Sequence, residues 1–138
     1  MLSIIICTKD NNEELISTMI TVEESLIDDS DLLKVIIVEK SKENIPSRVI
    51  TSRINPIIVK QSGSGIYNAF NEGLNHVEED SYVLFLNSGD FISLDAISSF
   101  LDNAAQYAKI KIYFYKTYSA GGYKNSVDLR NLYKGCDN

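Results

Sequence analysis

Histidine is nearly missing from this 138-residue chain: His76 stands alone. It falls near the end of a helical stretch, where it complements the helix dipole, so a Ser-His-Asp hydrolase has no histidine to work with. Cysteine is almost as scarce. Cys7 and Cys136 make no C-x-x-C pair and are too few for a disulfide framework. Cys7 lies in an apolar stretch and reads as a small buried residue, which points to a reducing cytoplasm. Long apolar runs are absent. The longest covers residues 82–86, far short of the ~20 residues a membrane span needs, and no basic n-region precedes the apolar residues 4–7, so no signal peptide is read. Basic charge does not dominate either: 13 Lys and Arg stand against 19 Asp and Glu, a net charge of -6. No basic stripe marks a nucleic-acid binder. An anionic ligand would need help from a metal ion or from helix N-termini in such a chain. Neither G-x-x-x-x-G-K-[ST] nor a G-x-G-x-x-G after the first strand is present, which excludes P-loop and dinucleotide readings. The third predicted strand ends in Lys60, not in the acid that a response-regulator receiver needs.

What is there is an alternation of strands and helices, in a length that allows one domain with a real core. Residues 2–8 (LSIIICT) read as a buried strand. Asp10, Asn11 and Asn12 offer a helix N-cap, with Glu13 and Glu14 in the favourable first turn. Leu15, Met19, Val22 and Leu26 then follow at helical spacing. Residues 33–39 (LKVIIVE) are a second strand, and a short helix opens near Pro46. Residues 57–60 make a third strand. A helix over 65–76 places Ile66, Phe70, Gly73 and Val77 on one face. Residues 82–86 are a fourth strand, and 94–108 a further helix. Residues 110–117 alternate as a half-exposed strand, and Ala120, Gly121 and Gly122 mark a turn or hairpin. The predicted class is α/β, a Rossmann-like, doubly wound, mostly parallel sheet in a single domain. In a doubly wound order the first and fourth strands are neighbours at the switch point, which predicts that Thr8 and residues 87–90 lie side by side.

Two segments carry the chemistry. Residues 61–74 read QSGSGIYNAFNEGL, a glycine-rich turn running into a helix, and residues 81–91 read SYVLFLNSGDF, an apolar strand ending in small polar residues and one acid. A glycine at a helix start lets backbone N–H groups approach an anion. An acid just past a strand's carboxyl end lies at the rim where open α/β sheets bind ligands. Asp90 is therefore a candidate ligand for Mg²⁺ or Mn²⁺, which take oxygen donors; Asn, Ser, Gly and Asp are also ordinary turn residues.

Together the two segments resemble the donor-binding half of family-two glycosyltransferases of the GT-A fold, in a bacterial branch where they commonly read GIYDAMNKG and FLNSGD. The resemblance covers about residues 2–117. It implies transfer of a sugar from a nucleotide donor, a UDP-sugar, to an acceptor hydroxyl of a saccharide or other molecule, with inversion. It implies that Asp90 holds Mg²⁺ or Mn²⁺ between the donor phosphates. Nucleotide-sugar contacts are implied for Cys7, Thr8, Glu39, Gly65, Tyr67, Asn71, Asn87 and Ser88, with Thr8 and Glu39 meeting the uracil ring. The chain departs from the family at Asn87 and Gly89, where carboxylates often stand, at Val38-Glu39 in place of an Asp pair, and at Asn68 in place of Asp. On this reading residues 1–117 are the nucleotide-sugar-binding domain, and 118–138 are a hairpin or irregular tail where an acceptor half would begin. The family's general base belongs to that half. Asp128 and Asp137 are the only acids after Asp102, and neither sits in such a motif, so the base is unassigned; a partner subunit or dimer mate would have to supply it. The alternatives are a non-catalytic nucleotide-sugar-binding or assembly module and, less fittingly, a sugar-nucleotide pyrophosphorylase, whose glycine-rich signature would replace Thr8-Lys9-Asp10. The expected location is the cytoplasm, free or peripheral at the inner face of the membrane.

Overall fold

The computed structural model describes residues 1–26 and 30–106, all within one unit of the chain. The strand expected at 110–117, the hairpin and tail at 118–138, and the end of the last helix lie outside the described residues.

Four strands, β1 (Leu2–Thr8), β2 (Leu33–Glu39), β3 (Ile57–Lys60) and β4 (Tyr82–Asn87), form an all-parallel sheet in the order β3-β2-β1-β4. Four helices connect or follow them: α1 (Asn12–Glu24), α2 (Ser47–Ile50), α3 (Ile66–Leu74) and α4 (Ala96–Gln106), with a 3₁₀ turn at Ser30–Leu32. The chain runs β1 to β2 to β3 in one direction, then crosses back so that β4 pairs with β1. This is the doubly wound order, and the predicted adjacency of the first and fourth strands holds.

β1 has a strand neighbour on each side and helices above and below, so its sequence can be apolar at nearly every position. Ile4, Ile5 and Ile6 are fully buried, each worth roughly 1.5–3 kcal/mol of transfer free energy. α3 covers the face of Ile5, Ile36 and Val38. α4 lies on the other face, where the Phe100 ring meets Tyr82 edge-on. Ser98 Oγ of α4 donates to Ser25 O at the end of α1, and Arg53 after α2 donates to Leu26 O and Glu23 O, so α1, α2 and α4 share that layer.

Two local expectations are refined. The predicted face of α3 holds at Phe70, Gly73 and Val77, which pack on the sheet with Ala69, while Ile66 at the helix start is exposed. Gly73 is a point of close approach, because a Cβ there would lie 2.5 Å from Ile5 Cγ2 and 3.2 Å from Val38 Cγ2. The helix backbone packs directly on the sheet at that point. The cap of α1 is Asn11, whose side chain accepts from Glu14 N. Asp10 instead sits at φ 53, a conformation that Asp tolerates better than most residues. Its carboxylate accepts from Lys42 N at 2.9 Å and its N–H donates to Ser41 Oγ at 2.9 Å. Asp10 thereby joins the loops after β1 and β2.

Candidate functional site

The hydrogen-bond ladder runs one step past the strand ends. Ser88 N donates to Cys7 O at 2.9 Å, Lys40 N to Thr8 O at 3.1 Å and Gln61 N to Glu39 O at 2.8 Å. Three loops are thus held in register along the carboxyl rim, with the switch point between β1 and β4. Cys7, Thr8, Glu39, Asn87, Ser88 and Asp90 all fall on this rim.

Thr8 and Glu39 are register partners and both are buried, at 5% and 6% exposure. Thr8 Oγ1 is buried and has no hydrogen-bond partner among the described residues. Glu39 is engaged at both oxygens: Oε1 pairs with Lys60 Nζ at 2.8 Å, and Oε2 accepts from Ser41 N at 2.8 Å. Lys60 also donates to Ser41 O at 3.2 Å. Each carboxylate oxygen keeps a second lone pair. Cys7 faces the α3 side, and burial pushes its thiol up to about 11, so it is neutral at physiological pH.

The 87–90 turn closes on itself. Asn87 N donates to Asp90 Oδ2 at 2.7 Å, and Asp90 N to Asn87 O at 3.0 Å. Gly89 takes φ +94, which favours glycine. Asp90 is exposed, and its Oδ1 has no hydrogen bond among the described residues. No group of three or more His, Cys, Asp or Glu is gathered for a metal among those residues. A second carboxylate, Glu14, packs against the turn, its Cδ 3.3 Å from where a Cβ of Gly89 would stand. This donor set suits Mg²⁺ or Mn²⁺ held by one or two carboxylates and completed by ligand phosphates and water. It is not a preformed protein cage.

The glycine-rich loop 61–65 is clamped from three sides. The Glu72 carboxylate accepts from Ser62 N, Ser62 Oγ and Gly63 N, at 2.7 to 3.2 Å. The Ser62 hydroxyl, then the two N–H groups, hold its carboxyl below the usual range. Gln61 Nε2 donates to Gly65 O and Asn68 Oδ1. Lys40 reaches across from β2 to Gly63 O and Ser64 Oγ. Gly65 caps α3 at φ +85 with no side-chain cap bond and nothing within 4 Å of a would-be Cβ, so that helix start is open among the described residues. Tyr67 is 81% exposed and Asn71 is exposed. Neither bonds to the strand-end group among the described residues.

Sequence reasoning missed Glu72, Lys40 and Lys60 as the holders of these loops, and Thr18 and Thr21 of α1. Thr18 Oγ1 accepts from Gly89 N at 2.8 Å, and Thr21 Oγ1 from Ile92 N at 3.1 Å. The signal was present. Glu14, Thr18, Thr21 and Ser25 repeat the 4-3-4 spacing of the apolar stripe, displaced by one residue.

A family model for glycosyl transferase family 2 matches residues 3–135. The chain belongs to glycosyl transferase family 2. Solved structures agree on the fold. The crystal structure of S. aureus TarS superposes with a TM-score of 0.66 at 16% identity, over 78% of this chain and 20% of that one. S. aureus TarS 1-349 in complex with UDP-GlcNAc gives 0.60 at 17% identity, over 78% and 32%. The same fragment in complex with UDP gives 0.62 at 17%, over 78% and 33%. This family-two chain thus spans a fifth to a third of the length of these structures. Comparison with curated proteins gives no match. No helix among the described residues is long and apolar enough to cross a membrane.

Proposed function

We propose that this family-two chain binds a UDP-sugar at the β1/β4 switch point and serves transfer of its sugar to an acceptor hydroxyl, with inversion at the anomeric carbon. The observation that carries the reading is the Thr8 hydroxyl, buried and without a partner among the described residues, on the strand between Glu39 and the 87–90 turn. An unpaired buried polar group costs about 1–3 kcal/mol. A uracil ring offers both the donor and the acceptors that would satisfy it, and its ring N–H suits the second lone pairs of Glu39. Lys40 supports an anionic ligand: it has no carboxylate partner among the described residues, and it sits beside the open start of α3. The S. aureus structures with UDP-GlcNAc and UDP support the same donor class.

Asp90, with Glu14 nearby, would hold Mg²⁺ or Mn²⁺ against the diphosphate. When bound, such a cation neutralises the charge that develops on the leaving diphosphate. The chain's own residues fix the nucleoside through Thr8 and Glu39, and orient the diphosphate toward the exposed Asp90.

Calorimetric titration of the chain with UDP and with GDP, each with and without Mn²⁺, tests the reading. UDP is expected to bind, more tightly with Mn²⁺, and to be preferred over GDP. No binding of UDP under either condition overturns it.

A further inference from the structure

Helix α1 carries two stripes. Leu15, Met19, Val22 and Leu26 are buried in the core. Displaced by one residue run Glu14, Thr18, Thr21 and Ser25, and the segment after β4 docks along them. Glu14 packs beside Gly89. Thr18 Oγ1 takes the Gly89 N–H at 2.8 Å, Thr21 Oγ1 takes the Ile92 N–H at 3.1 Å, and Ser25 O takes the Ser98 hydroxyl at 3.3 Å. Thr18 is fully buried. Thr21 Oγ1 also donates to Thr18 O at 2.9 Å, so its hydroxyl hydrogen is committed and its lone pair must face the loop. The 87–90 turn is joined to β1 at its start, by the Cys7–Asn87 register pair and by Ser88 N on Cys7 O. Further out, besides the internal Asn87–Asp90 bonds, Thr18 holds the turn at Gly89 N and Thr21 holds the segment that follows at Ile92 N.

We infer that Thr18, seconded by Thr21, is a positioning residue for Asp90: it anchors the turn through the Gly89 N–H, so that the Asp90 carboxylate is presented to the cation and diphosphate of the donor. This rests on the proposed nucleotide-sugar site. Helix α1 follows the strand that carries Thr8, so one element ties the nucleoside end of the site to the phosphate end. The methyl group of Thr18 is ordinary packing, and the hydroxyl is what the role requires. Loss of one charge-orienting hydrogen bond of this kind weakens binding by about tenfold.

The test compares wild type, Thr18→Val and Thr18→Ser as full chains, titrated with uridine and with UDP, each with and without Mn²⁺, and followed by amide hydrogen exchange at Gly89. Thr18→Val is expected to keep uridine affinity, to lose about tenfold in the Mn²⁺-dependent part of UDP affinity, and to exchange Gly89 N–H faster. Thr18→Ser, which keeps the hydroxyl, is expected to restore both. If Thr18→Val does not fold, Thr21→Val carries the same comparison at Ile92 N–H. A Thr18→Val chain that binds UDP with undiminished Mn²⁺ dependence, or that loses uridine and UDP affinity equally, overturns the positioning role alone. A wild type that binds neither uridine nor UDP overturns the proposed function and this role with it.

Discussion

Lys60 Nζ lies 2.8 Å from Glu39 Oε1, tying the end of β3 to the end of β2. The two partners differ sharply in exposure, 69% for the lysine side chain against 8% for the carboxylate. Water therefore screens the lysine, and the pair itself stabilises little. The buried carboxylate is the expensive member, and Lys60 with the Ser41 N–H keeps it satisfied. Glu39→Gln is expected to lower UDP affinity by about 1–3 kcal/mol, because an amide replaces a charge-assisted acceptor. Calorimetry with UDP checks this. Equal affinity in variant and wild type would leave Glu39 only as the anchor of Lys60.

Thr8→Val separates function from stability by sign. The hydroxyl it removes has no partner among the described residues, so the ligand-free chain is expected to gain up to about 1 kcal/mol in urea denaturation. The same change should weaken UDP binding. A variant that is destabilised, or that binds UDP as wild type does, contradicts the assignment of Thr8 to the nucleoside.

Asp90 has two tasks that one substitution can divide. Asp90→Asn keeps an oxygen to accept from Asn87 N and removes the charge. Its melting temperature is expected to stay near wild type while the Mn²⁺ enhancement of UDP binding disappears. Persistent Mn²⁺ dependence would move the ligand assignment to Glu14.

Glu72 predicts a pH effect. Its carboxyl is held below the ordinary value by Ser62 and Gly63, so it binds a proton less readily folded than unfolded. Its contribution is present above the unfolded value, about 4.3, and is lost as pH falls through the lower folded value. Urea denaturation at pH 7 and at pH 3 is expected to show a smaller acid loss for Glu72→Gln than for wild type. Parallel losses would mean the clamp on residues 62–63 adds no stability.

Much of this protein could be read from its residues in order. Strand and helix identity follows from short-range facts: an isoleucine run too short for a helix, a 4-3-4 apolar spacing, a proline before a helix. The adjacency of Thr8 and the 87–90 turn also followed, because right-handed crossovers leave few ways to wind a parallel sheet. The face of α3 followed only in part. Spacing put Ile66 inward with Phe70, Gly73 and Val77, whereas Ile66 is exposed and Ala69 is buried beside Ile5. Hydropathy does not say how closely Gly73 lets the helix backbone approach the sheet.

The site divides along the same line. The sequence by itself determined which residues reach the carboxyl rim, since strand order and strand ends are properties of pattern and chirality. Only the tertiary structure decided what each rim residue touches there. Asp10 became a loop staple and left the cap to Asn11, Glu39 found Lys60, Glu72 closed on Ser62 and Gly63, and Thr18 met Gly89. Those pairings join residues distant along the chain through polar atoms, and a polar side chain announces no partner until burial forces it to have one.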